Sequence, residues 1–230
     1  MTTPQGARAR ARMEVTAAIK DEARRQLAAE GAAKLSLRAV ARELGMVSSA
    51  LYRYFPSRDD LLTALIIDAY DSLGEAAEAA GATAHDVAPA QRWVAVCEAV
   101  RRWALAHPHE YALIYGSPVP GYSAPETTIP SAARVALVLI GILRDAFERR
   151  GLARTPVPAE LAPEARRMAD ELVPGLPPEV AVAMAAAWAQ LFGLVGFEVF
   201  GQFKGVVEER DRFFRHAAAQ LAHGVGLVYP

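Results

Sequence analysis

The chain has 230 residues, enough for one large domain or two smaller ones, and 53% of them are hydrophobic, so a sizeable core can be buried. A single cysteine, Cys97, excludes an internal disulfide framework and a Cys-rich zinc site. The net charge of −1 conceals an asymmetry. Residues 1–58 hold eleven Lys and Arg against five Asp and Glu, a balance of +6, and residues 59–230 carry −7. A basic head on an acidic body points to nucleic acid as the partner of the head.

The N-terminus, MTTPQGARARARMEV, is basic but has no apolar stretch of the kind a secretory signal needs. A cytoplasmic protein is therefore expected. From Arg12 to Glu30, the apolar positions Val15, Ile19, Ala23 and Leu27 recur every four residues and predict a first helix over 12–30. Ser36 is placed to cap a short helix from Leu37 to Leu44, and Gly45 supplies a turn. Ser48 is placed to cap a third helix over 48–54, which Pro56 ends. Ser57-Arg-Asp-Asp60 reads as a capping-box variant opening a fourth, longer helix.

Beyond a break at Gly81 to Pro89, helices are expected over Gln91–His107, from Pro108 through Tyr115, over Ser131–Arg150, in a short stretch ending at Leu172, and over about 178–203 and 208–224. No segment has convincing strand alternation, so the predicted fold is all-α. The run from Val180 to Phe197 approaches the length of a membrane span. Bracketed by Glu179 and Glu198 and rich in alanine, it reads instead as a buried helix of a bundle or dimer seam, with no membrane partner.

The segment LSLRAVARELGMVSSALYRYF (Leu35 to Phe55) carries the functional signal. Val40, Leu44, Met46, Leu51 and Tyr54 can share a small core with the first helix, and small Ala41 permits close approach. This is a helix-turn-helix pattern, whose second helix lies in the major groove of DNA. The face left exposed is Ser48, Ser49, Ala50, Tyr52 and Arg53. The hydroxyls of Ser48 and Ser49 suit phosphate oxygens, and Ala50 is small enough to meet a thymine methyl. Arg53 can read guanine or hold phosphate. Tyr52 and Tyr54 have rigid arms with a hydroxyl tip, suited to clamping the backbone.

The same segment, continued through PSRDDLLTAL, resembles the tetracycline-repressor (TetR) family of bacterial transcription regulators; Tyr52, Tyr54 and Phe55 followed by Arg58 and Leu61-Leu62 are its most specific part. The family usually has lysine where this chain has Arg58, and the charge is kept. The resemblance implies a DNA-binding head over 1–57 and a helical bundle for ligand binding and dimerisation over 58–230. It implies a homodimer on a palindromic double-stranded operator. By the same analogy Ser36 and Arg58 hold phosphates, Arg38 reaches base edge or backbone, and Arg8, Arg10 and Arg12 form either a flexible arm near the minor groove or a plain disordered tail.

The remaining helices present no nucleophile, acid–base pair, phosphate loop or metal-ligand cluster, so neither an enzyme nor a cofactor is expected. Trp93, Cys97, Trp103, Tyr111, Tyr115, Phe147, Trp188 and Phe192 form an aromatic-rich set that, by the family resemblance, lines a pocket for a small, mostly apolar effector. Val195, Val199, Phe213, Ala217 and Leu221 on the last two helices are expected at a dimer seam. The reading is a ligand-released repressor. A DNA-binding activator or architectural protein without a ligand, and a helical metabolite-binding enzyme, are the alternatives.

Overall fold

The computed structural model describes residues 4–83, 87–153 and 155–227, and among these every regular element is helical. The described helices are α1 (Pro4–Glu30), α2 (Leu37–Glu43), α3 (Ser48–Leu51), α4 (Arg58–Thr83), α5 (Pro89–Ala106), α6 (Pro108–Tyr115), α7 (Ile129–Arg150), α8 (Ala162–Leu172), α9 (Pro178–Val199) and α10 (Arg210–Gly224). They belong to two compact units. The first comprises residues 1–70 and 107–129, and the second comprises 71–106 and 130–230. These units divide within α4 rather than at 57/58, because the start of α4 completes the core of the first.

In the first unit Ile19, Ala23 and Leu27 of α1 meet Leu37, Val40 and Ala41 of α2, Leu51 of α3, and Leu61, Leu62 and Leu65 of α4. Leu113 of α6, with Val119 and Tyr122 from the loop after it, also packs on this cluster. Polar links reinforce the arrangement. Lys20 and Arg24 of α1 both pair with Asp68 of α4, at 2.8 and 2.7 Å, and Arg24 also reaches Glu110 of α6 at 3.2 Å. Tyr122 shares a 2.9 Å hydrogen bond with Thr63. The helix α1 begins eight residues before the predicted Arg12, because arginine and alanine sustain a helix without an apolar stripe.

In the second unit α5 packs against α9 and α10, and α8 and α10 pack against α9. Glycine permits the closest approach. A Cβ at Gly74 of α4 would lie 2.7 Å from the Arg134 side chain, and one at Gly81 would lie 2.9 Å from Val138. Seven residues apart, the two glycines share a helix face on which α7 rests. Arg134 then binds both carboxylate oxygens of Glu78 at 2.8 Å and takes Asp71 at 3.0 Å. The helix α9 ends at Val199 rather than near Phe203, where the chain turns through Gly201 at φ 81°.

Two helical stretches, Glu126–Arg149 and Pro178–Val199, are long and apolar enough to cross a membrane, and one third of each apolar window is buried within the chain. Of the expected buried helix of a bundle or dimer seam, one face of α9 is buried within the chain. Leu191, Phe192 and Val195 face the core, whereas Ala185, Ala186, Ala189, Gly193 and Phe197 are exposed.

One ion pair of this unit, Arg101 with Glu198, is buried. Arg101 of α5 donates to Glu198 of α9 through Nε at 2.6 Å and Nη2 at 2.7 Å, and its Nη1 lies 2.8 Å from Asp211 of α10. The guanidinium also lies over the Phe214 ring, 5.3 Å from its centroid. These bonds, Glu198 first, hold Arg101 charged against the opposing effect of burial. Removing one partner of such a pair costs roughly 3–5 kcal/mol, because the other charge stays buried and unpaired. Arg101→Met is therefore expected to lower unfolding stability by about that amount, with Glu198→Gln similar and the double variant far from additive in urea titrations.

Candidate nucleic-acid interface

The interface is assembled from a helix cap, a turn and a clamp. Ser36 caps α2 as its sequence position predicts, its Oγ accepting from the Ala39 N–H at 3.4 Å. At the other end of α2 the Met46 N–H bonds to the Ala41 carbonyl and the Gly45 N–H to that of Arg42, at 2.8 and 3.1 Å. This pair of bonds requires a left-handed residue between, and Gly45 takes φ 63°. The turn aims α3 away from α2 and leaves Leu51 as its buried anchor.

The regular α-helix of α3 is shorter than the expected 48–54. It stops at Leu51, and Arg53 and Tyr54 continue through tighter bonds to the carbonyls of Ala50 and Leu51, at 3.2 and 2.8 Å. Ser48 is not the cap. Val47 holds that position without a side-chain bond, and Ser48 and Ser49 are the first helical residues, both exposed. Ser48, Ser49, Tyr52 and Arg53 are exposed together with Arg38 of α2, and Ala50 is half-buried. Val47, 70% exposed, joins this surface, a residue that reading by polarity alone passes over.

Two predicted residues prove to be held from within. Tyr54 packs against the core, with the Arg12 guanidinium 5.1 Å from its ring centroid, and Arg12 also donates to the Arg53 carbonyl at 3.3 Å. Arg12, with Arg8 and Arg10, is helical, so these residues form no flexible arm. Arg58 donates through Nη2 to the carbonyls of Ala32 and Ala33, at 2.9 and 3.2 Å, and through Nε to Leu35 at 3.2 Å. It thereby ties the start of α4 to the turn that precedes α2. Ser57 does cap α4, accepting from the Asp60 N–H at 3.1 Å. Ser36, Arg38, Tyr52, Ser57 and Arg58 line an open groove of about 430 Å³ with Leu35, Leu37 and Pro56.

The aromatic set does not gather in one place. Tyr111 and Tyr115 belong to the first unit, where Tyr115 meets Tyr70 edge-on at 5.9 Å. Trp93, Cys97, Trp103, Phe147, Trp188 and Phe192 belong to the second. There Trp93, Cys97, Trp103 and Phe192 are buried, Trp188 stacks at a tilt on Phe192 at 4.6 Å, and Phe147 is 36% exposed. Burial pushes the Cys97 thiol well above its ordinary pKa, leaving it neutral and inert. Trp103 donates to Ser72 at 2.9 Å, whereas the buried Trp93 indole N–H has no protein acceptor. No group of His, Cys, Asp and Glu among the described residues is arranged to hold a metal. His85 lies outside the described residues.

Residues 19–65, spanning this interface, match the model for bacterial regulatory proteins of the tetR family, and residues 93–221 match the tetracyclin repressor-like C-terminal domain. The chain belongs to the TetR family. HTH-type transcriptional regulator Rv1816 of Mycobacterium tuberculosis is 40% identical over 211 residues, with 86% of each chain covered. Regulator Mb1846 of Mycobacterium bovis matches equally. The crystal structure of the regulatory protein SCO4313 superposes with a TM-score of 0.78 at 34% identity, covering 94% of this chain and 98% of that one. The complex of RolR with resorcinol is similar in fold alone, with a TM-score of 0.52 at 16% identity over 96% and 98% of the two chains. This TetR-family protein is accordingly a DNA-binding transcriptional regulator. Within it Arg58 has a measurable internal role. Arg58→Ala is expected to destabilise the DNA-binding unit by about 2 kcal/mol, the scale of hydrogen bonds from a charged donor. An unchanged unfolding midpoint would show that these carbonyl contacts contribute nothing.

Proposed function

We propose that this regulator is a cytoplasmic homodimeric repressor that binds a palindromic operator through α3 and is released by a small, mostly apolar effector, without enzymatic activity. The observation that carries the DNA contact is the single exposed surface formed by Arg38, Ser48, Ser49, Tyr52 and Arg53 around the Gly45 turn. Arg38 and Arg53 make no ion pair among the described residues and are available to phosphate or guanine. Ser36 and Tyr52, on the adjoining groove, supply hydroxyls for the backbone, and Ala50 allows α3 to sit close to the bases. Arg58 contributes chiefly by fixing the groove's wall. Two such heads related by a two-fold axis fit half-sites about one helical turn apart or slightly more.

Support for the dimer comes from the exposed stripe Ala186, Ala189, Gly193 and Phe197 on α9, together with exposed Phe213, His216 and Gln220 and half-buried Ala217 on α10. Small residues at this spacing let a second copy's helices approach closely. Val195 and Leu221, expected at the seam, are buried within the chain itself, so Phe213 and Ala217 are the better candidates. Sedimentation of the wild type as a 24.7 kDa monomer at micromolar concentration would overturn the dimer.

The effector site is assigned to the second unit, around Trp93, Cys97, Trp188 and Phe192. Support comes from the unpaired indole N–H of Trp93, a buried donor of the kind usually matched by a partner. An effector with an apolar body and one acceptor satisfies it. Release then requires the effector to bind one state of the dimer better than the other, since equal affinity shifts nothing.

Binding measured by salt titration on the DNA upstream of its own gene tests the reading. Ala50→Leu is expected to weaken operator binding by roughly 1–3 kcal/mol, the scale of one lost base contact, while the dimer sediments as before. Unchanged affinity would mean that α3 does not enter the groove. Trp93→Phe is expected to keep DNA affinity and raise the effector concentration needed for release about tenfold, as loss of one hydrogen bond predicts. Identical release curves for both proteins across a panel of apolar effectors would remove Trp93 from the site.

A further inference from the structure

We propose that the loop between α6 and α7 is a positioning element for DNA recognition, in which Tyr122 fixes the start of α4, and so the wall of the reading groove, without touching DNA. This rests on the reading of α3 and its groove above and adds to it a residue from a distant part of the chain.

The first observation is a rigid turn. The Tyr122 N–H bonds to the Val119 carbonyl at 3.1 Å and closes a turn with Pro120 and Gly121 at its centre. Gly121 takes φ 77°, and a proline followed by a left-handed glycine is the combination a type II turn requires. Pro118 and Pro125 restrict the loop further. Pro120 and Gly121 are exposed, whereas Val119 and Tyr122 on either side are half-buried and pack on the leucine cluster of the DNA-binding unit. A connection that only spans α6 to α7 needs neither inward side chain. The second observation is a hydroxyl pair. Thr16 and Thr83 turn their hydroxyls back to the carbonyls four residues before, at 2.8 and 2.6 Å. The Thr63 hydroxyl instead meets that of Tyr122 at 2.9 Å, so it serves a contact between distant segments rather than its own helix. The third is what Thr63 adjoins. It lies five residues after Arg58 on the first turns of α4. Arg58 in turn holds the carbonyls of Ala32, Ala33 and Leu35, immediately before Ser36 and Arg38. The placement of these turns is thereby passed to the groove that Ser36, Arg38 and Tyr52 line. A groove held in place before it meets DNA loses less freedom on binding.

Tyr122→Phe and Thr63→Val each remove one hydroxyl and keep the shape of the side chain. The experiment compares the wild type, both variants and the double variant on the duplex that the wild type selects from a random pool. Affinities are measured at a temperature where circular dichroism shows every protein fully folded. Each single variant is expected to bind roughly two- to tenfold more weakly, the scale of one neutral hydrogen bond. The double variant is expected to bind no more weakly than the weaker single, because both substitutions remove the same contact. Gly121→Ala, whose added Cβ meets no atom within 4 Å, strains only the backbone of the turn and is expected to weaken binding likewise. A contact that merely adds stability lowers the urea midpoint but leaves the affinity of the fully folded protein unchanged. Wild-type affinity in any of the three single variants therefore overturns the proposal, and so do additive losses in the double variant. A loss in Tyr122→Phe alone marks a direct contact of its hydroxyl with DNA in place of positioning. Failure of the wild type to select any duplex overturns instead the reading of α3 on which this proposal rests.

Discussion

The helix α4 is the constraint on which the rest of this molecule depends, because one continuous helix belongs to both compact units. Its first half closes the DNA-binding core through Leu61, Leu62 and Leu65, all buried. Its second half carries Gly74 and Gly81, where only the absence of a Cβ lets Arg134 and Val138 of α7 come so near. The ion pairs follow the same division. Asp68 is bound by Lys20 and Arg24 in the first unit, and Asp71, three residues on, by Arg134 in the second.

The helix α6 adds to this. It follows α5 in the chain yet belongs with α1 and α4, through Glu110 to Arg24 and through Leu113 on the leucine cluster. The DNA-binding unit is therefore not a contiguous N-terminal segment. Sequence alone divides the chain at 57/58, just past the break at Pro56, and nothing in PHEYALIY announces that this short helix returns to the first unit. Two connections after α4, at 106/107 and 129/130, also join the units. Three links of the chain therefore join the two units.

What the sequence made legible was local. A serine before an apolar run and a glycine after it specify the ends of α2, because caps and left-handed turns depend on residues within four positions. Leu51 as anchor and Ser48, Ser49, Tyr52 and Arg53 as exposed face follow from helical spacing in the same way. The partners of Arg58 were not legible, since they lie 23 to 26 residues away and are backbone carbonyls that carry no residue identity. The division of the aromatic set was hidden for a similar reason: spacing within α6 says nothing of which unit it joins. The start of α1 was missed because its first turns have no apolar stripe, only helix-forming residues.

The position of Arg58 changes the electrostatics of DNA contact. Of the cations that make residues 1–58 basic, Lys20, Arg24, Arg25 and Arg42 pair with carboxylates, Arg58 is engaged with carbonyls and Asp59, and Arg12 with a carbonyl and a ring. Among the described residues Arg8, Arg10, Lys34, Arg38 and Arg53 remain without such partners. The net charge of the head thus overstates what a phosphate backbone meets, because a paired cation adds little to counterion release. Arg38 and Arg53 flank the reading surface, and Arg8 lies beyond it on the overhanging turns of α1. The basic character visible in the sequence is therefore concentrated at the two places where the fold leaves arginine unopposed, beside α3 and at the exposed start of α1.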